Sequence, residues 1–112
     1  METIRVVYIS IPREEAKELA RGIVDNRLAA CVNIVPKIES YFWWEDEVQF
    51  DEESLLIVKT TQMRFPELME FVRDNHPYEL PEIIGLPLAA AFPDYVAWVK
   101  EEVDKGDGEE EE

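Results

Sequence analysis

Apolar positions recur along this chain with two different periods, and the alternation between them sets out the elements. Thr3 to Ile11 is a run of β-branched and aromatic residues closed by Pro12, which predicts a first strand. Val7, Ile9 and Ile11 fall on one face and Ile4, Val6 and Tyr8 on the other, so both faces are expected to be covered. From Arg13 to Leu28 the period changes to that of a helix. Ala16, Leu19, Ala20, Ile23, Val24 and Leu28 form a single stripe, with Glu14 and Glu15 suited to the first turn.

Ala30 to Thr60 then reads as one long hairpin. Pro36 should force a bulge or an edge position, Glu45-Asp46-Glu47 a turn, and Asp51-Glu52-Glu53 an interruption of the returning strand. Phe65, Leu68, Met69, Val72 and His76 make a second helical stripe, with Pro66 in the first turn and Pro77 as the stop. Glu82 to Ala90 predicts a last strand. Phe92, Tyr95, Val96, Val99 and Val103 predict a third helix. Residues 105–112 contain no apolar side chain and are expected to be a disordered acidic tail after a domain spanning 1–104.

The order β-α-β-β-α-β plus one helix is that of an α+β, ferredoxin-like sandwich with an additional C-terminal helix. Its expected product is a four-stranded antiparallel sheet with the first two helices on one face. That architecture leaves the other face open. Yet Tyr41-Phe42-Trp43-Trp44 places two aromatics on each side of one strand, and Leu55-Leu56-Ile57-Val58 is apolar on both sides as well. Exposed apolar area of this kind marks an interface, so a homo-oligomer is expected.

Composition narrows the function. A chain of 112 residues that is 46% hydrophobic supports one domain with a core. The net charge is −15, and the last twelve residues hold eight acids against one lysine. Such a surface repels phosphate backbones, which excludes nucleic acid as the expected partner. No apolar run approaches the ~20 residues of a membrane span. The opening METIRVVYIS lacks the basic start and apolar core of a signal peptide, so a cytoplasmic protein with no membrane partner is expected. Cys31 is the only cysteine; it fits a reducing compartment and is expected to be a small core residue.

Catalytic constellations are missing. There is no G-x-S-x-G, no phosphate-binding glycine loop and no dinucleotide fingerprint. Cys31 and His76 could form a dyad only if the fold joined them. His76, the only histidine, ends the second helical stripe. It reads either as a capping residue or as a ligand. With Tyr78, Glu79 and Glu82 close by, one imidazole plus carboxylates suits a divalent ion such as copper or zinc. A closed site takes about four ligands, so the remainder would come from a neighbouring subunit.

Five segments resemble the CutA family of divalent-cation-tolerance proteins. They are Leu28 to Pro36 (LAACVNIVP), Ser40 to Trp44, Leu55 to Thr61 (LLIVKTT), His76-Pro77-Tyr78-Glu79 with Pro81-Glu82-Ile83-Ile84, and Tyr95-Val96-Ala97-Trp98. The resemblance implies ferredoxin-like homotrimers related to the PII signalling proteins. It also implies a role in tolerance of divalent metals, copper binding in some members, no organic cofactor and no firmly attached enzymatic reaction. Carried onto this chain, it makes His76, Glu79 and Glu82 candidate metal ligands, and Lys59 and Tyr78 candidate cleft residues. Tyr41, Trp43, Trp44 and Trp98 become candidates for the trimer interface. Two loops depart from the family pattern, with Glu45-Asp46-Glu47 and Ala91-Phe92-Pro93 where glycine is usual. Ile9 and Ile11 occupy the stretch where a copper-binding cysteine would stand. The alternative function is a PII-like small-molecule sensor, with Lys59 and Arg5 as its positive charges. An acylphosphatase-like hydrolase ranks last, because Pro12-Arg13-Glu14-Glu15 is a poor anion cradle.

Overall fold

The computed structural model describes residues 4–108. β1 (Ile4–Pro12) runs through the middle of the sheet, antiparallel to β3 (Glu47–Thr61) on one side and to β4 (Ile83–Pro87) on the other. β2 (Cys31–Trp44) pairs with the far side of β3, giving the order β2-β3-β1-β4 expected of a ferredoxin-like sheet. Thr3, assigned to the first strand from its pattern, lies outside the described residues.

Register decides which side chains share a face. Val7, Ile9 and Ile11 lie opposite Val58, Leu56 and Ser54, and Val58 and Leu56 lie opposite Val32 and Ile34. This face is covered by α1 (Ala16–Asp25) and α2 (Phe65–Asn75), whose Leu19, Ile23, Leu68 and Val72 complete one buried cluster with it. Burial of each such side chain contributes about 1.5–3 kcal/mol, so this layer carries most of the stability. The two helices approach closely at Gly22, where a Cβ would stand 3.0 Å from the Phe71 ring.

α1 is shorter than its apolar stripe predicts. A 3₁₀ turn, Arg13–Glu15, precedes it, and it ends at Asp25 rather than Leu28. Leu28 N–H bonds to Ile23 O at 3.1 Å and Arg27 N–H to Val24 O at 3.0 Å, the two bonds of a Schellman motif. Arg27 takes the left-handed position with φ 59°, where glycine is usual. Its guanidinium holds both the carbonyl and the carboxylate of Glu102, at 3.1 and 2.8 Å, which offsets the backbone cost. The side chain signals a helix, so the stop is invisible in the pattern.

The hairpin differs from its expectation in two ways. Glu45 and Asp46 alone make the turn, with φ 52° and 67°, the type I′ geometry. The acidic run does not interrupt β3, since Asp51, Glu52 and Glu53 stay paired with Ser40, Glu39 and Ile38. The bulge expected at Pro36 is present: register shifts between Val35 and Ile38, and Ser54 Oγ donates to Pro36 O at 2.8 Å. Beyond it the paired strands continue as an arm that carries no helix. On the arm Tyr41 and Phe50 pack with ring centroids 4.9 Å apart.

α3 (Pro93–Gly108) lies against β3 and β1 outside the cluster under α1 and α2, with Val99 and Val103 fully buried. Arg64 donates to Val103 O at 2.9 Å and fixes its end. The helix runs through 105–108, positions assigned from composition to the tail, and Lys105 pairs with Glu102 at 3.0 Å. Residues 109–112 lie outside the described residues. β4 is also shorter than the expected 82–90 segment, ending at Pro87. Tyr8, Ile84 and Leu86 stay exposed on the face that α3 only partly covers. No described helix is long and apolar enough to cross a membrane.

Two non-glycine residues at positive φ strain the turn by about 1 kcal/mol each. Replacing Glu45-Asp46 with Asn-Gly is expected to raise stability by about 1 kcal/mol. Urea unfolding checks it, with a higher midpoint at unchanged slope as the expected outcome.

Candidate functional site

Pro77 ends α2 and turns His76 to extended backbone, φ −101° and ψ 139°. The ring then swings onto β1. Its Nε2 lies 2.7 Å from Ser10 O, and its Nδ1 accepts the Tyr78 N–H at 3.1 Å. Those partners assign the proton to Nε2 and leave both nitrogens engaged. At 9% exposure the imidazole is a pin between β1 and the segment that follows α2.

The pin places the next side chains. The Tyr78 ring packs tilted against His76, centroids 4.8 Å apart, and its hydroxyl donates to Glu53 Oε2 at 2.7 Å. Ser10 Oγ donates to Glu82 Oε1 at 3.3 Å. Burial pushes the Tyr78 phenol well above its ordinary range, reinforced by the bond to Glu53 and by the charges of Glu53, Asp51 and Glu14.

Between this segment and the arm opens a cleft of about 780 Å³. Tyr41, Phe42, Trp43, Trp44 and Tyr78 supply aromatic walls. Glu39, Asp51, Glu53, Glu79 and Glu82 supply charge, and among the described residues no lysine or arginine lines it. Tyr41 and Trp43 are 73% and 72% exposed within one chain.

Of the residues singled out from sequence, Tyr78, Glu79 and Glu82 meet in this cleft, with His76 behind them, and Tyr41, Trp43 and Trp44 form its wall. Lys59 does not join them. It lies farther along β3, opposite Cys31, where its Nζ donates to Asn33 Oδ1 and approaches Cys31 Sγ at 4.0 Å. Trp98 sits on α3 beside Tyr95, ring centroids 5.5 Å apart. Cys31 is not the core residue expected. It is half-buried on the Lys59 face, and burial followed by its proximity raises the Tyr95 phenol. Among the described residues no three His, Cys, Asp or Glu side chains converge to hold a metal ion.

Glu53 was missed as a site residue because it reads as part of an acidic break. Alternation counted back from Leu56 through a continuous strand would have placed it on the open face, with Leu55.

A sequence profile described as "CutA1 divalent ion tolerance protein" matches residues 5–102. The chain belongs to the CutA1 family. The divalent-cation tolerance protein CutA of Thermus thermophilus is 50% identical over 97 residues, covering 86% of this chain and 94% of that one. The chloroplastic CutA 1 of Oryza sativa is 50% identical over 96 residues, covering 85% of this chain. The chain spans about half the length of the plant relatives it matches, 54% and 53%. The solved Thermus thermophilus CutA1 superposes with a TM-score of 0.86 at 47% identity, over 88% of this chain and 97% of that one. The PII-like protein CutA of Nostoc superposes with a TM-score of 0.85 at 29% identity, over 88% and 96%.

A raised phenol pKa gives the alkaline behaviour a sign. The folded state holds the Tyr78 proton more tightly than the unfolded chain does. The stability this contributes is present below the unfolded tyrosine range and fades as pH rises above about 10. Tyr78→Phe is expected to lose about 1–3 kcal/mol at neutral pH, because Glu53 loses its donor. Melts across the alkaline range should show that this deficit narrows relative to wild type.

Proposed function

We propose that this CutA1-family chain acts as a homotrimeric, non-enzymatic divalent-cation-tolerance protein, and that the acidic aromatic cleft is its cation-facing surface. The carrying observation is the lining: five carboxylates and no cationic side chain. That field concentrates cations and repels a nucleotide triphosphate, which weighs against the anion-sensor reading. Lys59, the charge that reading needs, stands outside the cleft. Assembly is supported by the exposed Tyr41, Trp43, Trp44 and Trp98, which a neighbouring copy would cover.

In such an assembly Glu79 and Glu82 of one subunit would share a copper or zinc ion with side chains of the next. Among the described residues of one chain too few ligands converge. His76 acts in this reading as the pin that holds both glutamates in place. A lone cysteine is compatible with a reducing, cytoplasmic setting.

Copper and zinc titrations of wild type, Glu79→Gln/Glu82→Gln and His76→Gln test the reading. The double variant is expected to weaken binding by about tenfold or more. His76→Gln keeps an N–H donor for Ser10 O and should stay near wild type. Unchanged affinity in the double variant would remove the glutamates as ligands, and a large loss in His76→Gln alone would make the imidazole one.

A further inference from the structure

The segment from His76 to Glu82 joins α2 to β4 and belongs to neither. Its two neighbours are anchored separately. Leu68 and Val72 hold α2 in the buried cluster, and pairing with β1 holds β4 from Ile83 to Pro87. The segment itself carries no ladder. Among the described residues, no backbone–backbone hydrogen bond outside helices and strands involves residues 77–82. Pro77 and Pro81 lack the N–H to donate one and fix their own φ, so the stretch is stiff as well as unpaired. Its burial is slight. His76 is buried and Tyr78 half-buried, whereas Pro77, Glu79, Leu80 and Glu82 are exposed.

Among the described residues, three side-chain hydrogen bonds tie this stretch to the sheet. His76 Nε2–H donates to Ser10 O, Ser10 Oγ to Glu82, and the Tyr78 hydroxyl to Glu53. They are linked to one another. The Tyr78 N–H donates to His76 Nδ1 and the two rings pack together, so a Tyr78 that leaves Glu53 pulls on the ring that holds Ser10. A stretch with few buried apolar contacts opens without the rest of a fold. Opening here breaks these bonds but exposes little apolar area, and it hydrates the Glu53 carboxylate, which is 4% exposed when closed. We propose that residues 76–82 are a strap along the cleft that opens as one unit while the sheet stays folded. Closed, the strap keeps Glu53 under the Tyr78 hydroxyl and lays Glu79 and Glu82 along the lining. Open, it gives Glu53 to the cleft and frees both other glutamates. The cleft thus has two charge patterns, switched by one latch. Neither state requires a metal ion.

Hydrogen exchange of the full chain, followed by NMR at low urea concentrations, tests the strap at two protons. These are the Tyr78 amide and the His76 Nε2–H. Both are expected to exchange through an opening that urea barely promotes, whereas the slowest amides of β1 follow the slope of global unfolding. Tyr78→Phe removes the hydroxyl alone and touches neither proton's own bond. It is nevertheless expected to speed exchange at both by a similar factor, about fivefold or more. Where that variant does not fold, Ser10→Ala, which removes the bond to Glu82 at the other end of the strap, carries the same expectation at about threefold or more. Strap protons that share the free energy and urea slope of β1 would mean that the segment lets go only with the sheet. A response within about twofold at either proton would mean that the fastenings act separately. Either result overturns the strap.

Discussion

A four-stranded sheet that is apolar on both sides is the constraint on which the rest of this molecule depends. α1 and α2 cover one side, with Val7, Ile9, Ile11, Leu56 and Val58 all fully enclosed and Val32 and Ile34 partly buried. α3 reaches the other side only in part, where Val99 and Val103 are buried while Tyr95 and Trp98 remain half in solvent. A small domain has no further helix to spend on that side. The aromatic arm beyond the Pro36 bulge extends the problem, because Tyr41, Phe42, Trp43 and Trp44 are exposed there. In the proposed assembly another copy of the chain buries that side.

The same architecture creates the cleft. A bulge shifts the register of β2 and β3 between Val35 and Ile38, and Pro77 ends α2 at the segment that faces the arm across the cleft. His76 then clamps that return to β1 through Ser10 O. What lies between is walled by aromatics and lined with carboxylates of one sign. Function in this reading comes from electrostatics and shape, with the imidazole spent on positioning. The metal-ligand reading of His76 and the pinning reading differ only in what its two nitrogens are doing. Here both face backbone groups of their own subunit.

The periodicities made the fold legible: two helical stripes around a hairpin admitted few topologies, and strand order followed. Local stops were less visible. Arg27 ends α1 in a conformation usually left to glycine, and its stabilising partner, Glu102, is 75 residues away. The hairpin turn is made by two acids at positive φ, so the residues that bend the chain do not announce it. In the site, the His76 to Glu82 segment was legible because its chemistry is contiguous. Glu53 and Ser10 were not, since they reach it through sheet register. Cys31 was misplaced because strand parity sets it opposite Lys59 on the open face. Lys59 shares the parity of Glu53 and lies farther along β3.

Sedimentation equilibrium of the full chain, from nanomolar to micromolar concentration, tests the two-sided sheet most directly. A single species of three chain masses, persisting on dilution while the fold remains, is the outcome expected of a face that must be covered. A well-folded, stable species of one chain mass across that range would contradict it.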